Sequence, residues 1–440
     1  MTGPLDLRTA RRRYVTVSAL FWLPLGLAIA PQLLLFTERG MSLAAISAFF
    51  AAHSLTAAVL ELPTGGLSDV VGRRAVLVAA GLLDLVAFTL GGLGTTAGAL
   101  ALGMAVKGAG RALSSGPAEA WYVDTVHACA GPDADLRTGL ARGGAATAGA
   151  LAVGTLVGGA LPWLLGLGPD PGAWLERTTS GVVIPLAVPA LLAAALDIVF
   201  VVYVLTALPE PPRKPTTLRE VLRGVPTTIV TGLRLGGGDT LVRRVLLSAA
   251  AAGGALAAVE LLTPGRAAAL TGDTETGAVL FAGLACAGFL CSALGSHLAP
   301  RTARLAGDGG RAVLWTMAAG AAGLLLLAAT ASFAGPAPTL LAVTGFALVY
   351  LGLGAAGPNE NDLLHRRVAP MVRATALSVQ SLALQLSCAL AGLAVGALPA
   401  GPLPWLVGVA TLTVGALLWT HRAAPTTKPE PLPADTGSSR

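Results

Sequence analysis

Charged residues are scarce in this chain. Asp, Glu, Lys and Arg make up 12% of the 440 residues, whereas soluble proteins carry about 25%. Hydrophobic residues make up 54%, and the mean hydropathy is +0.73. A net charge of +6 on so apolar a chain disfavours a nucleic-acid-binding protein. The composition predicts an integral membrane protein.

Cysteine is also scarce, and no pattern typical of an enzyme is present. The four residues Cys129, Cys286, Cys291 and Cys388 have neither metal-site spacing nor the density of a disulfide framework. We find no nucleophile with a partner base and no phosphate-binding loop with a Lys and a Ser or Thr. The sequence therefore predicts a protein that is not an enzyme and that needs no cofactor or metal.

Apolar runs of about 20 residues recur along the chain, the length of an α-helix that crosses a bilayer. Each run is continuously apolar rather than alternating, which disfavours a β-barrel. We predict an all-α membrane protein with 12 transmembrane helices. The spans lie at roughly 14–36, 41–62, 75–95, 99–124, 139–165, 182–206, 245–263, 276–298, 311–332, 338–364, 374–398 and 403–420.

Basic residues predict the orientation. Of the 29 Lys and Arg residues, only Arg39, Arg177 and Arg266 fall in connections on the side away from the termini. The positive-inside rule therefore predicts that both termini are cytoplasmic. The polar N-terminal stretch is followed by no cleavage site, so the first span is expected to be a retained anchor. The high content of Ala, Gly and Arg indicates a bacterial source, and we predict that the protein lies in the inner (plasma) membrane.

A long polar interruption divides the spans six and six. Its apolar residues Leu218, Val221 and Leu222 recur at helical spacing beside basic residues, which fits an amphipathic helix on the inner leaflet or, equally, a flexible linker. The predicted units are a six-helix bundle at 1–206, a cytoplasmic loop at 207–244, a second bundle at 245–420 and a disordered tail at 421–440.

Two short motifs recur between the halves. Gly-Pro-Ala-Glu at 116–119 is echoed by Gly-Pro-Asn-Glu at 357–360, and Gly-Ala-Leu-Pro at 159–162 recurs at 396–399. The offsets are nearly equal and the motifs fall in corresponding spans, so they indicate duplicated six-helix halves. Two pseudo-symmetric bundles predict a substrate path between them.

The connection after the second span carries a motif, ELPTGGLSDVVGRR from Glu61 to Arg74. Its glycines permit a tight turn, and its arginines anchor one membrane face. The segment resembles the signature loop of the major facilitator superfamily, G-x-L-(A)-D-R-x-G-R-(K/R), although Val70 replaces a usual basic residue. The matching residues are Gly65, Leu67, Asp69, Gly72, Arg73 and Arg74.

The fifth span resembles the antiporter signature of that superfamily, G-x-x-x-G-P-x-x-G-G. Gly154, Gly158 and Gly159 match it, whereas Thr155 stands in place of Pro. The resemblance implies an exporter of the drug/proton antiporter branch that works as a monomer by alternating access, driven by protons rather than ATP. Tight helix packing is an alternative explanation of the small residues.

Ionisable residues inside spans are costly and are therefore functional candidates. Lys107 and Arg111 lie one turn apart on one helix face, and we expect both to line the central cavity. The resemblance implies a role in proton transfer for a basic residue at the position of Arg111. A structural ion pair of Arg111 with Asp84, Asp197 or Glu260 is the alternative.

Asp197 and Glu260 are the predicted proton-coupling carboxylates. Each is a lone acidic residue deep in an apolar span, where desolvation favours the protonated form. Pairing of either with Arg111 is the competing interpretation. His53 is a further candidate as a proton relay, or it is a hydrogen-bonded core residue.

The remaining predictions concern the gate and the cavity wall. The resemblance implies that Asp124 pairs with Arg73 and locks the outward-facing state, whereas a solvated Asp124 is the alternative. Further cavity candidates are Gln32, Glu119, Asn359, Glu360 and Gln385.

Together these features predict a proton-coupled exporter of a small amphipathic compound. Two alternatives remain open at this point. One is an uptake symporter or facilitator on the same fold. The other, of a different class, is a membrane sensor or a lipid-moving protein that transports no solute.

Overall fold

The computed structural model describes residues 6–65, 67–114, 116–131, 134–210, 234, 237–368 and 373–420. The side chains of residues 62–65, 69 and 373–375 are not described. The predicted amphipathic helix of the central loop and the predicted disordered tail lie outside the described residues.

The first half begins with an Asp cap, because the Asp6 carboxylate accepts a hydrogen bond from the Thr9 amide at the start of α1. The described residues form ten helices before the central loop, and the last of these is preceded by the 3-10 turn Pro185–Ala187. Their bounds are α1 Leu7–Ile29, α2 Gln32–Glu38, α3 Leu43–Gly65, α4 Leu67–Val71, α5 Arg73–Leu93, α6 Ala97–Ser114, α7 Pro117–Ala130, α8 Arg137–Leu165, α9 Pro171–Thr178 and α10 Val188–Ala207.

The second half contains longer, less interrupted helices. Three of them begin at an Asp whose carboxylate accepts from backbone N–H groups of the first turn, at Asp239, Asp273 and Asp308. Their bounds are α11 Thr240–Thr271, α12 Thr274–Ala306, α13 Gly309–Thr330, α14 Pro336–Arg367, α15 Arg373–Ala397 and α16 Leu403–Leu417.

Ten helical segments of the described chain are long and apolar enough to cross a membrane, and Leu403–Leu417 is a shorter apolar helix. The remaining predicted span, 99–124, is formed by α6 and α7 together. The predicted fold class, an all-α membrane protein with twelve spans in two bundles, is thereby confirmed.

The fourth span is not the single helix that we predicted. Gly116 adopts the left-handed conformation with φ 97°, and Pro117 occupies the first position of α7, where its missing N–H costs nothing. The corresponding Gly357 and Pro358 remain inside the continuous helix α14. The repeated motif therefore bends the chain in only one half.

The ends of the bundles differ in how the halves pack. We call the side where α1 begins and α16 ends the terminal side, and the other the opposite side. On the opposite side a hydrophobic core joins both halves, with Leu34 and Phe36 of α2 and Ile46 of α3 in one cluster with Leu261 of α11 and Val395 of α15. On the terminal side each half has its own core.

Candidate substrate cavity and charged site

A cavity of about 490 Å³ lies between the two halves. Side chains of α1, α2, α3, α5 and α6 line it from the first half, and α11, α12, α14 and α15 line it from the second. Its aromatic lining consists of Phe21, Trp22, Phe50, Phe281, Phe289 and Tyr350. Its polar lining includes Gln32, His53, Asp84, Lys107, Arg111, Glu260 and Gln385.

The cavity extends toward the terminal side. A second cavity of about 420 Å³ is lined by first-half residues alone, and Phe21, Trp22, Arg111 and Ser114 line both. The halves also meet on this side, where Ser381 Oγ donates to Glu61 Oε2 at 3.0 Å. On the opposite side the shared hydrophobic core separates the cavity from the surface.

The small residues predicted in the fifth span let two helices approach closely. A Cβ at Gly154 would lie 2.6 Å from the Leu23 carbonyl oxygen, and one at Gly158 would overlap the Leu27 carbonyl. Both glycines therefore pack α8 against α1 within the first half. Thr155, which replaces the family's Pro, is fully buried, and among the described residues its Oγ1 has no hydrogen-bond partner.

Gly159, the next residue of the same motif, faces the other half. A Cβ there would lie 2.7 Å from the Ala278 carbonyl oxygen of α12. Gly396 on α15, its counterpart in the repeat, belongs to the second half and faces the first. A Cβ there would overlap Ser47 and lie 3.1 Å from Ala44 Cα of α3. The repeated Gly-Ala-Leu-Pro motif thus contributes two contacts between the halves on the opposite side.

Lys107 lies in the cavity wall and is well satisfied. Its Nζ donates to Gln32 Oε1 at 3.1 Å and lies 5.1 Å from the centre of the Phe88 ring. Gln32 in turn donates to Met104 Sδ at 2.9 Å. The ammonium also interacts electrostatically with acidic residues, and most strongly with Asp84. Lys107 therefore lines the cavity and also interacts with the carboxylates of the first half.

Asp197 is buried inside the first half. It is 1% exposed, and neither carboxylate oxygen has a hydrogen-bond partner among the described residues. Two charged groups face it electrostatically, Asp84 from α5 and Lys107 from α6. An unpaired, desolvated carboxylate is costly in its charged form, and the proton-coupling role of Asp197 stays a prediction.

Glu260, the second predicted proton carrier, is placed differently. Its side chain is exposed within the cavity, on the second-half wall. It interacts electrostatically with Arg111 across the cavity, although no ion pair within 4 Å joins Arg111 to Glu260, Asp84 or Asp197 in the described residues. The structural ion pair that was the alternative interpretation of Arg111 is therefore not formed among the described residues.

Gln385, a predicted cavity residue, lines the cavity, and so does His53, which was predicted only as a proton relay or a core residue. His53 Nδ1 is buried and has no hydrogen-bond partner among the residues described. Lys107 and Arg111 both lie within electrostatic range of this imidazole. The relay role of His53 stays a prediction.

Asn359, Glu360 and Glu119 do not line the central cavity, contrary to our expectation. Asn359 Nδ2 donates to the Ala355 and Ala299 carbonyl oxygens at 2.9 and 3.4 Å, which packs α14 against α12. Glu360 is 4% exposed and buried in the second half. Glu119 is exposed in the second cavity, beyond the bend at Gly116.

The predicted contact between the signature loop and the fourth span is present. Arg73 Nε lies 3.3 Å from Asp124 Oδ2. Both residues belong to the first half, so the pair joins α5 to α7 and does not itself bridge the halves. Its role in locking the outward-facing state stays a prediction. The side chain of Asp69 lies outside the described part of the structure.

Glu210 is a functional candidate that the sequence did not reveal. Its two carboxylate oxygens accept hydrogen bonds from the Arg73 and Arg74 amides, at 2.8 and 3.1 Å. This carboxylate caps the N-terminus of α5, where the helix dipole favours negative charge. Glu210 is 137 residues from Arg73 in the sequence, and no local motif marks it.

Comparisons with known proteins agree with this architecture. The solved nucleoside transporter NupG has a TM-score of 0.68 at 13% identity, with 93% of this chain and 97% of that chain covered. A bacterial homologue of the human lysosomal transporter Spinster gives 0.70 at 16%, with 94% and 96% covered. A D-xylose-proton symporter gives 0.66 at 15%, with 94% and 97% covered. At these identities the likeness shows the fold alone. No curated protein sequence gives a match.

Two helical bundles around a charged central cavity define an α-helical membrane transporter rather than an enzyme. The chain belongs to the Major Facilitator Superfamily, because the model of that family matches residues 14–392.

Proposed function

We propose that this protein is a proton-coupled secondary transporter that exports a small amphipathic compound by alternating access. The observation that carries the proposal is the charged and aromatic cavity between the halves, separated from one side by a core that both halves share. Under the predicted orientation the terminal side is cytoplasmic, so the cavity extends toward the cytoplasm.

Asp197 is the residue that we assign to the coupling proton. It is buried without hydrogen-bond partners in the described chain, and it faces Asp84 and Lys107. A carboxylate in such a place binds a proton more readily than one in water. Loss of that proton leaves a second negative charge beside Lys107.

The Asp197 site has a physical connection to the closed side. Lys107 is held by Gln32, and Gln32 begins α2, whose Leu34 and Phe36 belong to the core shared by both halves. A change of charge at Asp197 alters the attraction on Lys107, and through Gln32 it acts on α2. Proton binding can thus bias the packing that separates the cavity from the opposite side.

Export is supported by the small-residue motif of α8, which resembles the family's antiporter signature. Uptake by symport is the second candidate, because one protein of the same fold is a D-xylose-proton symporter. The two differ in the direction of proton flow relative to substrate.

Everted membrane vesicles loaded with a pH-sensitive dye distinguish the two directions. A panel of amphipathic dyes is first screened for lower accumulation in cells that contain the protein. We expect a compound from this screen to cause loss of luminal protons when it is added outside acidified vesicles. Movement of protons and compound in the same direction would contradict export, and unchanged compound distribution with an imposed gradient would contradict coupling.

A further inference from the structure

Two opposite charges face each other across the cavity without a direct pair. Arg111 is exposed on the α6 wall, and Glu260 is exposed on the α11 wall, one in each half. They interact electrostatically, but no ion pair within 4 Å joins them in the described residues. Charges at membrane depth need a partner, and within the described chain neither side chain makes a direct ion pair.

The other two charged residues of the cavity lining, Asp84 and Lys107, interact with each other. Lys107 has Gln32 and the Phe88 ring as partners and interacts with Asp84. The charged groups that remain for a ligand are therefore one cation and one anion. A ligand that carries only one charge would leave Arg111 or Glu260 without a partner.

The rest of the lining is apolar and aromatic. Phe21 and Trp22 lie on the first-half wall that Arg111 shares, and Phe289 and Tyr350 lie on the second-half wall. Tyr350 is also within electrostatic range of Glu260. A cavity of about 490 Å³ is within the size range of sites for small organic ligands, roughly 300–1,000 Å³.

We infer that the cavity takes a zwitterionic ligand with a bulky apolar or aromatic body. Its anionic group binds Arg111, and its cationic group binds Glu260. Because these two residues belong to different halves, such a ligand bridges the bundles. The inference rests on the cavity of the proposed transporter, but it needs neither proton coupling nor a direction of transport.

Binding to the purified, detergent-solubilised protein tests this ligand class. The probes are phenylalanine and its dipeptide and tripeptide, each as the zwitterion, as the methyl ester that lacks the negative charge, and as the N-acetyl form that lacks the positive charge. We expect at least one zwitterion to bind about tenfold or more tightly than both of its derivatives, because each derivative leaves a charged wall residue unpaired. Equal or tighter binding of a derivative, or no binding of any zwitterion, would overturn the inference.

Two variants assign the charges. In Arg111→Gln the ester should bind as well as the zwitterion, and in Glu260→Gln the N-acetyl form should do so. Glu176→Gln removes an exposed carboxylate of α9 that lines neither cavity, and it serves as the matched control with unchanged preference. Loss of preference in the control, or retention in both wall variants, would contradict the assignment. Zwitterion binding without gradient-driven transport would remove the proposed function and leave this inference standing.

Discussion

Gly159 and Gly396 are equivalent in the sequence repeat, and each lies against a helix of the opposite half. Gly159 of α8 approaches Ala278 of α12, and Gly396 of α15 approaches Ala44 of α3. The two contacts lie on the side where the hydrophobic core joins the halves. The pseudo-symmetry predicted from the repeated Gly-Ala-Leu-Pro motif is therefore also present in the packing between the two bundles.

Gly159→Val is expected to open the opposite side. A Cβ at this position would lie 2.7 Å from a backbone oxygen, which cannot move without shifting α12. A single cysteine at Leu34, in a background without the four native cysteines, should react several-fold faster with a membrane-impermeant maleimide. Gly144→Val on the same helix is the control, because a Cβ there meets no atom within 4 Å. Equal labelling rates in both variants would mean that Gly159 does not hold the halves together.

Asp124→Asn is expected to lower thermal stability only modestly. The Arg73–Asp124 pair is partly exposed, with side chains 20% and 41% accessible, and such pairs contribute about 0–1 kcal/mol. We predict a small fall in the apparent melting temperature of the detergent-solubilised protein and no change for Asp362→Asn, whose pair with Arg366 is largely solvated.

A charge-reversal double variant shows whether Arg73 and Asp124 stabilise the protein by pairing with each other or independently. The double variant Arg73→Asp with Asp124→Arg should recover part of the stability lost in each single variant. An equal loss in the Asp362→Asn control, or purely additive losses in the double variant, would show that the pair does not join α5 to α7 energetically.

Asp239 predicts a pH dependence on the terminal side. Burial alone raises the pKa of this carboxyl, but the Arg367 guanidinium and the Leu241 and Val242 amides outweigh it, so the pKa in the folded state lies below the usual value. A lowered folded pKa contributes stability above the unfolded pKa of about 3.9, and that contribution is lost as pH falls through the folded pKa.

Asp239→Asn should therefore reduce the melting temperature at pH 7 and reduce it progressively less as pH falls below about 4. Melting curves of both proteins between pH 7 and pH 3 check this. A difference that stays constant or grows toward acid would show that ionised Asp239 does not stabilise the fold.

The helical fold could be predicted because the bilayer dictates the length of each apolar run. The bend in the fourth span could not, since Gly116-Pro117 breaks the helix while Gly357-Pro358 does not. The local sequences are nearly the same, so the difference comes from packing around them.

The sequence predicted which residues belong to the charged site better than it predicted where their side chains lie. Asp197 and Glu260 look alike in sequence, as lone carboxylates in apolar spans, but one is buried between helices and the other faces the cavity. Whether a side chain of a bundled helix faces the cavity or a neighbouring helix depends on the tertiary packing of that helix. The same limit explains why Asn359 was expected at the cavity, although it packs α14 against α12.

Proton-driven transport by Asp197→Asn in proteoliposomes most directly tests whether Asp197 carries the coupling proton. With a substrate from the accumulation screen, the variant should lose concentrative transport driven by a pH gradient at least about tenfold, because its side chain cannot bind and release a proton. It should retain exchange of labelled for unlabelled substrate without a gradient, which needs no net proton movement. The exposed Asp135→Asn is the control and should transport normally. Full gradient-driven transport by Asp197→Asn would contradict the assignment of the coupling proton to this residue.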